Sequence, residues 1–188
     1  MVGADALRRA VFLDRDGVIN RPVIRDGKPY PPNSAAELEI LPGVAESLRR
    51  LRAAGFLNIV VTNQPDVATG IQQRSVVEAM HLRLQQELAV DAIMVCYHTD
   101  SDNCACRKPK PGMLIDASAD HGIDLAESHV IGDRWRDVEA GQAAGCRPPF
   151  FIDYGYIERR PVKPYVPVTS LFEAVALILE NFPATDKS

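Results

Sequence analysis

The chain has 188 residues, 46% of them apolar and 24% charged, enough to enclose one core and too few for two full domains. Its 21 Lys and Arg against 25 Asp and Glu leave a formal charge of −4, which excludes the basic excess of a non-specific nucleic-acid binder. The apolar runs "AVFL" and "AVALIL" fall far short of the roughly 20 residues a membrane span needs, so a cytoplasmic monomer with no membrane partner is expected.

The first strand is predicted at "AVFLD", residues 10–14, an apolar run suited to burial on both faces. A polar loop with Pro22, Pro29, Pro31 and Pro32 follows. In "LPGVAESLRRLRAAG" the spacing of Val44, Leu48 and Leu51 predicts one apolar helix face, with Pro42 in the first turn and Gly55 as the stop. "LNIVVTN" reads as the second strand, and after a loop over 64–70 a helix is expected over 72–88. "AIMVCYH" is the third strand, residues 111–121 a helix, "HVIGD" the fourth strand, "DVEAGQAAG" a helix and "PFFID" the fifth strand. A proline-bearing loop then leads to a last helix over 169–182, capped by Thr169 or Ser170, and "PATDKS" is expected to fray.

Strands alternating with helices predict an α/β fold over residues 1–188, a Rossmann-like three-layer sandwich around a mainly parallel sheet of five or six strands. Asp14, Thr62, His98 and Asp133 all fall at C-terminal strand ends, the edge where open parallel sheets bind ligands.

Two clusters at that edge carry chemistry. In "FLDRDGVIN", Asp14 and Asp16 are two residues apart, so both carboxyls can face one point; one could attack while the other moves protons, with a divalent cation between. A plain turn is the alternative, since Asp and Gly commonly follow strands. "CYHTDSDNCAC" offers Cys96, His98, Cys104 and Cys106, three thiolates and one imidazole, which make a closed tetrahedral zinc set. A zinc there would stiffen a short polar loop, spanning 96–106, and have a structural role.

"LDRDGVIN", "VVTNQ", "CRKPKPGM" and "IGDRWRD" occur in that order, each at a strand end or in the loop after it. Together they resemble the four motifs of the haloacid dehalogenase superfamily of phosphatases. The resemblance implies a Mg²⁺-dependent phosphatase with Asp14 as nucleophile and Asp16 as acid and base. It implies Mg²⁺ on Asp14, the Asp16 backbone carbonyl and Asp133, and phosphoryl contacts from Thr62, Asn63 and Lys108. Asp137 would steady Lys108 or a metal-bound water. The cysteine cluster further resembles the capless, zinc-bearing branch that includes heptose bisphosphate phosphatases and histidinol-phosphate phosphatases. That implies a small phosphorylated metabolite as substrate, a heptose 1,7-bisphosphate first and histidinol phosphate second, with Arg107 as the recognition residue and Gln64 and Arg134 as further contacts; Arg25, with Arg21 and Lys28, could bind a second phosphate. "PDVATG" after Gln64 and the long proline-rich first loop depart from the branch pattern. A zinc-stabilised binding module without catalysis would predict a damaged motif, and none of the motif residues is missing.

Overall fold

The computed structural model describes residues 7–181. In chain order its strands are β1 (Arg9–Leu13), β2 (Val23–Arg25), β3 (Lys28–Tyr30), β4 (Phe56–Asn63), β5 (Ala92–Cys96), β6 (His129–Gly132), β7 (Phe150–Ile152) and β8 (Val166–Val168). The helices are α1 (Val44–Ala53), α2 (Arg74–Glu87), α3 (Gly112–His121), α4 (Trp135–Ala143) and α5 (Leu171–Asn181).

Six strands form one parallel sheet in the order β5-β4-β1-β6-β7-β8. The central strands are buried on both faces because alternate residues enter different cores. Val11 and Leu13 pack with Leu48, Met80 and Val175 of α1, α2 and α5. Ala10 and Phe12 pack with Met113, Leu114 and Ala140 of α3 and α4. This is the expected three-layer sandwich.

Three strands escaped the sequence reading. The loop after β1 contains the hairpin β2–β3, paired Val23 to Tyr30 and Arg25 to Lys28. Its turn is Asp26-Gly27, with φ 49° and 70°, the left-handed pair a tight hairpin requires. The Asp-Gly signal was in the sequence, obscured by the surrounding prolines. β8 lies in the other proline-rich loop, and Pro167 is tolerated there because β8 is an edge strand, paired on one side with β7.

Local signals mostly match the helix ends. Gly55, at φ 87°, ends α1 with its N–H on the Arg52 carbonyl at 3.0 Å. Pro42 is not in the first turn as expected: α1 starts at Val44 after a left-handed Gly43, which takes the N-cap. Both proposed caps of α5 take part. The Ser170 hydroxyl accepts the Glu173 N–H at 3.2 Å, and the Glu173 carboxylate accepts the Thr169 N–H at 2.7 Å. Residue 182 of the predicted helix and the "PATDKS" tail lie outside the described residues. Among the described residues no helix is long and apolar enough to cross a membrane.

Candidate active site

Three neighbouring strands deliver the acidic centre. Asp14 follows β1, Thr62 and Asn63 end β4, and Asp133 follows β6, with Asp137 in the first turn of α4. The turn after Asp14 must pass close to Asp133. At Gly17, φ is 90°, and a Cβ there would stand 1.8 Å from Asp133 Oδ2, so only glycine fits.

Lys108, 2% exposed, ties the centre together. Its Nζ lies 3.0 Å from Asp14 Oδ1 and 2.5 Å from Asp137 Oδ1, and donates to the Val61 carbonyl at 2.7 Å. The Asn63 amide clamps the Lys108 backbone from both sides, accepting its N–H at 3.1 Å and donating to its carbonyl at 3.0 Å. A strand-end side chain thereby fixes where the ammonium enters.

The charges do not balance. Asp14, Asp133 and Asp137 each offer a carboxylate oxygen within 4.8 Å of the others, and one Lys faces them. Burial, then the Asp137 and Asp16 charges, push the Asp14 carboxyl up to about 7 against the pull of Lys108. Asp133 is raised well above the usual carboxylate range by burial first and by Asp14 and Asp137 next. Lys108 is held charged by Asp137 and Asp14 although burial opposes it.

An all-oxygen set with surplus negative charge fits a hard divalent cation such as Mg²⁺. Asp137 is already engaged at both oxygens, Oδ1 by Lys108 and Oδ2 by the Arg134 N–H at 2.9 Å. Asp133 Oδ1 is buried with no hydrogen-bond partner, an expensive state that a cation would relieve.

Asp16 is held by a separate scaffold. Its carboxylate accepts from the Arg15 guanidinium at 2.9 Å, Gln64 Nε2 at 2.9 Å and Asn20 Nδ2 at 2.9 Å. Arg15 is fully buried and meets His81 Nε2 at 3.2 Å. Gln64 also donates to Thr62 Oγ1 at 2.9 Å, which leaves the threonine proton free to point elsewhere.

These groups floor a cavity of about 150 Å³ lined by Asp14, Asp16, Thr62, Asn63, Lys108 and Asp137. Its walls are Pro29, Tyr30 and Pro31 of the hairpin, Pro65 and Asp66, and the arginines Arg134 and Arg136. Both arginines are already paired, Arg134 with Glu158 at 2.5 Å and Arg136 with Asp100 at 3.1 Å.

Three residues expected to touch substrate lie elsewhere. Arg107 borders a neighbouring recess and reaches Asp100 at 2.8 Å and the His98 carbonyl at 3.1 Å. Arg25 is exposed, stacked over the Tyr30 ring at 5.5 Å. Gln64 is buried against Asp16 and Thr62 rather than lining the cavity.

The cysteine cluster assembles as one group, with ligand atoms of Cys96, His98, Cys104 and Cys106 within 4.8 Å of one another. Cys96 Sγ lies 3.7 Å from both His98 Nδ1 and Cys104 Sγ, and Cys106 Sγ lies 3.0 Å from Cys96, 3.4 Å from Cys104 and 3.3 Å from His98 Nδ1. A tetrahedron with Zn–S bonds of ~2.3 Å has edges of about 3.7 Å, so the set fits zinc with little adjustment.

The family model for HAD-hydrolase-like proteins matches residues 105–150, from the cysteine cluster to β7. The chain is 37% identical to the D-glycero-beta-D-manno-heptose-1,7-bisphosphate 7-phosphatase of Pseudomonas aeruginosa, over 91% of this chain and 96% of that one. It is 42% identical to the D-glycero-alpha-D-manno-heptose-1,7-bisphosphate 7-phosphatase of Mycobacterium tuberculosis, over 72% and 75% of the two chains. The chain belongs to this HAD phosphatase family. Its structure is similar to that of the D,D-heptose 1,7-bisphosphate phosphatase from B. bronchiseptica in complex with magnesium and phosphate. The TM-score is 0.78 at 31% identity, covering 92% of this chain and 99% of that one.

The phosphatase carries site residues that the sequence reading passed over. Arg15 sits between the two motif acids, yet nothing in "DRD" says that it folds inward onto Asp16. His81 had no partner at motif spacing and meets Arg15 across 66 positions of sequence. Arg136 lines the cavity from the first turn of α4, and its partner Asp100 lies 36 positions away, so no local pattern marked it. Trp135, two residues after Asp133, packs under the Arg159 guanidinium at 3.5 Å instead of lining the cavity.

Proposed function

We propose that the chain removes the 7-phosphate of a D-glycero-D-manno-heptose 1,7-bisphosphate through a phosphoryl group carried on Asp14. The observation that supports this best is the buried Asp14–Lys108–Asp137 arrangement beneath a cavity walled by two arginines. Lys108, the Thr62 hydroxyl and the Asn63 amide receive the phosphoryl oxygens, while Asp14 attacks phosphorus. Asp16 gives its proton to the departing sugar oxygen, then takes one from the water that cleaves the acyl phosphate. The Arg15, Asn20 and Gln64 contacts hold Asp16 in place for both transfers. Asp14, the Asp16 backbone carbonyl and Asp133 would hold Mg²⁺, which supplies positive charge between carboxylate and phosphate when bound.

Arg134 and Arg136 line the cavity and present planar forks suited to a phosphate remote from the scissile one. Arg107 can join them by sharing Asp100 with Arg136. Cys96, His98, Cys104 and Cys106 would hold a zinc with a structural role, fixing the loop that leads into Lys108. The protein is proposed to act as a monomer. A zinc-bound cysteine set in place of disulfides suits a reducing cytoplasm.

A second reading, histidinol phosphate as substrate, is favoured by Asp66 on the cavity wall, a carboxylate where a cationic amine would bind. Phosphate release with Mg²⁺ from both heptose 1,7-bisphosphate anomers and from histidinol phosphate, side by side, separates the two. Preferred turnover of one heptose anomer is expected. Preference for histidinol phosphate would overturn the heptose reading.

A further inference from the structure

The segment after β7 reads Tyr154-Gly155-Tyr156-Ile157-Glu158, and its alternate side chains all reach the acidic site. The Tyr154 hydroxyl donates to the Gly17 carbonyl at 3.0 Å, beside Asp16. The Tyr156 hydroxyl donates to Asp133 Oδ2 at 2.8 Å. The Glu158 carboxylate accepts from the Arg134 guanidinium at 2.5 and 3.0 Å. The segment is bent rather than extended, with Gly155 at φ 71° and the Glu158 N–H on the Tyr156 carbonyl at 2.9 Å.

Asp133 is confined between two neighbours. Gly17 presses on one side, where even a methyl group would collide with Oδ2. Tyr156 meets the same oxygen with a hydrogen bond, leaving Oδ1 buried and without a protein partner. One carboxylate oxygen is thus committed to the protein and the other kept open. The same segment carries the hairpin that walls the cavity. Ile157 N–H donates to the Gly27 carbonyl at 2.9 Å, and the Ile157 side chain fills the space where a Gly27 side chain would stand.

We propose that Tyr156 is a positioning residue for the divalent-cation site: its phenol holds Asp133 in the one orientation that leaves Oδ1 open to the metal. The proposal rests on the reading that Asp133 is a metal ligand. The Tyr154–Glu158 segment thereby joins the metal ligand to the substrate-side hairpin and to Arg134. Loss of a hydrogen bond to a metal-binding carboxylate typically weakens the metal about 10- to 100-fold without removing it.

The test is Mn²⁺ titration of the full chain without substrate, followed by electron paramagnetic resonance of the free ion. Wild type, Asp133→Asn, Tyr156→Phe and Tyr165→Phe are compared; Tyr165 packs edge-on against Phe151 on the sheet and serves as control. Tyr156→Phe is expected to weaken Mn²⁺ roughly 10- to 100-fold, and to raise the Mg²⁺ concentration for half-maximal turnover while kcat at saturating Mg²⁺ stays within about threefold. Tyr165→Phe is expected to bind like wild type. Wild-type affinity in Tyr156→Phe, with binding lost in Asp133→Asn, overturns the positioning role and leaves the metal reading standing. Wild-type affinity in Asp133→Asn overturns the metal reading, and the proposal with it. Should Tyr156→Phe not fold, the near-UV tyrosine spectrum of wild type decides: it must change on Mg²⁺ binding, and an unchanged spectrum overturns the proposal.

Discussion

The floor of the cavity and its rim are built on opposite principles. The floor takes Asp14, Thr62, Asn63 and Asp133 from the ends of three adjacent parallel strands, Lys108 from the loop after the cysteines and Asp137 from α4, and its ionisable groups are buried and held by short hydrogen bonds. The rim comes from the hairpin, the cysteine loop, the start of α4 and the segment after β7, and its cations are half-buried or exposed and paired with carboxylates. Arg136 and Arg107 share Asp100, and Arg134 holds Glu158. An ammonium clamped on three sides is preorganised for one reaction. A guanidinium resting on a carboxylate can exchange it for an arriving phosphate, which offers the same planar fork two acceptor oxygens. We propose that the floor fixes the chemistry and the rim selects the substrate.

The sharpest way to break this comparison is to remove Asp14, the proposed nucleophile. Asp14→Asn is expected to reduce phosphate release by at least about a thousandfold while circular dichroism stays unchanged. Residual turnover near wild type would place the chemistry elsewhere.

Next in size is Lys108→Met. Three carboxyls then share the site with no ammonium, and breaking a buried pair costs about 3–5 kcal/mol. Urea unfolding should show that loss, and Mg²⁺ should restore part of it by binding the surplus charge. An unchanged midpoint would mean that Lys108 is not the main counter-charge.

The rim should respond differently. Arg136→Ala is expected to raise KM for a bisphosphate roughly tenfold, the worth of one charged hydrogen-bonded contact, with kcat changed less than about threefold. A monophosphate substrate should show little change in KM. Equal losses for both substrates would move Arg136 from substrate selection to the chemistry.

The smallest expected effect concerns the scaffold behind the floor. His81 is held down to about 4 by burial first and by the Arg15 charge next, against about 6.5 when unfolded. Between those values the unfolded chain binds more protons, so the stability from His81 is complete above about pH 6.5 and is lost as pH falls toward 4. Comparing wild type with His81→Gln by urea unfolding at pH 7.5 and 5 isolates the term. The variant should lose less stability on acidification, by on the order of 1 kcal/mol. Parallel pH profiles would contradict the buried neutral histidine.

Legibility in the sequence follows the same division. Asp14, Thr62 and Asp133 were readable because buried apolar runs end where they stand, and a strand end in a parallel sheet has one direction to face. The cysteine set was readable because metal ligation restricts residue type and spacing. The hairpin was hidden by prolines that its short, exposed strands tolerate, although Asp26-Gly27 marked the turn. Arg15, Arg136 and Tyr156 were not readable, since their partners His81, Asp100 and Asp133 lie 66, 36 and 23 positions away. Local periodicity holds no information about such pairs. Arg107, the recognition residue of the sequence reading, stands beside the cavity with its guanidinium on Asp100 and the His98 carbonyl.

The most direct test of the central claim is to look for the phosphoryl group on Asp14. Wild type and Asp16→Asn are mixed with phosphate-labelled heptose 1,7-bisphosphate and Mg²⁺, quenched in acid within milliseconds to seconds, and peptide-mapped. The label should appear on the peptide containing Asp14 and persist longer in Asp16→Asn, which lacks the base that activates water. Full turnover by wild type with no label on Asp14 at any time, in either protein, would contradict the covalent mechanism.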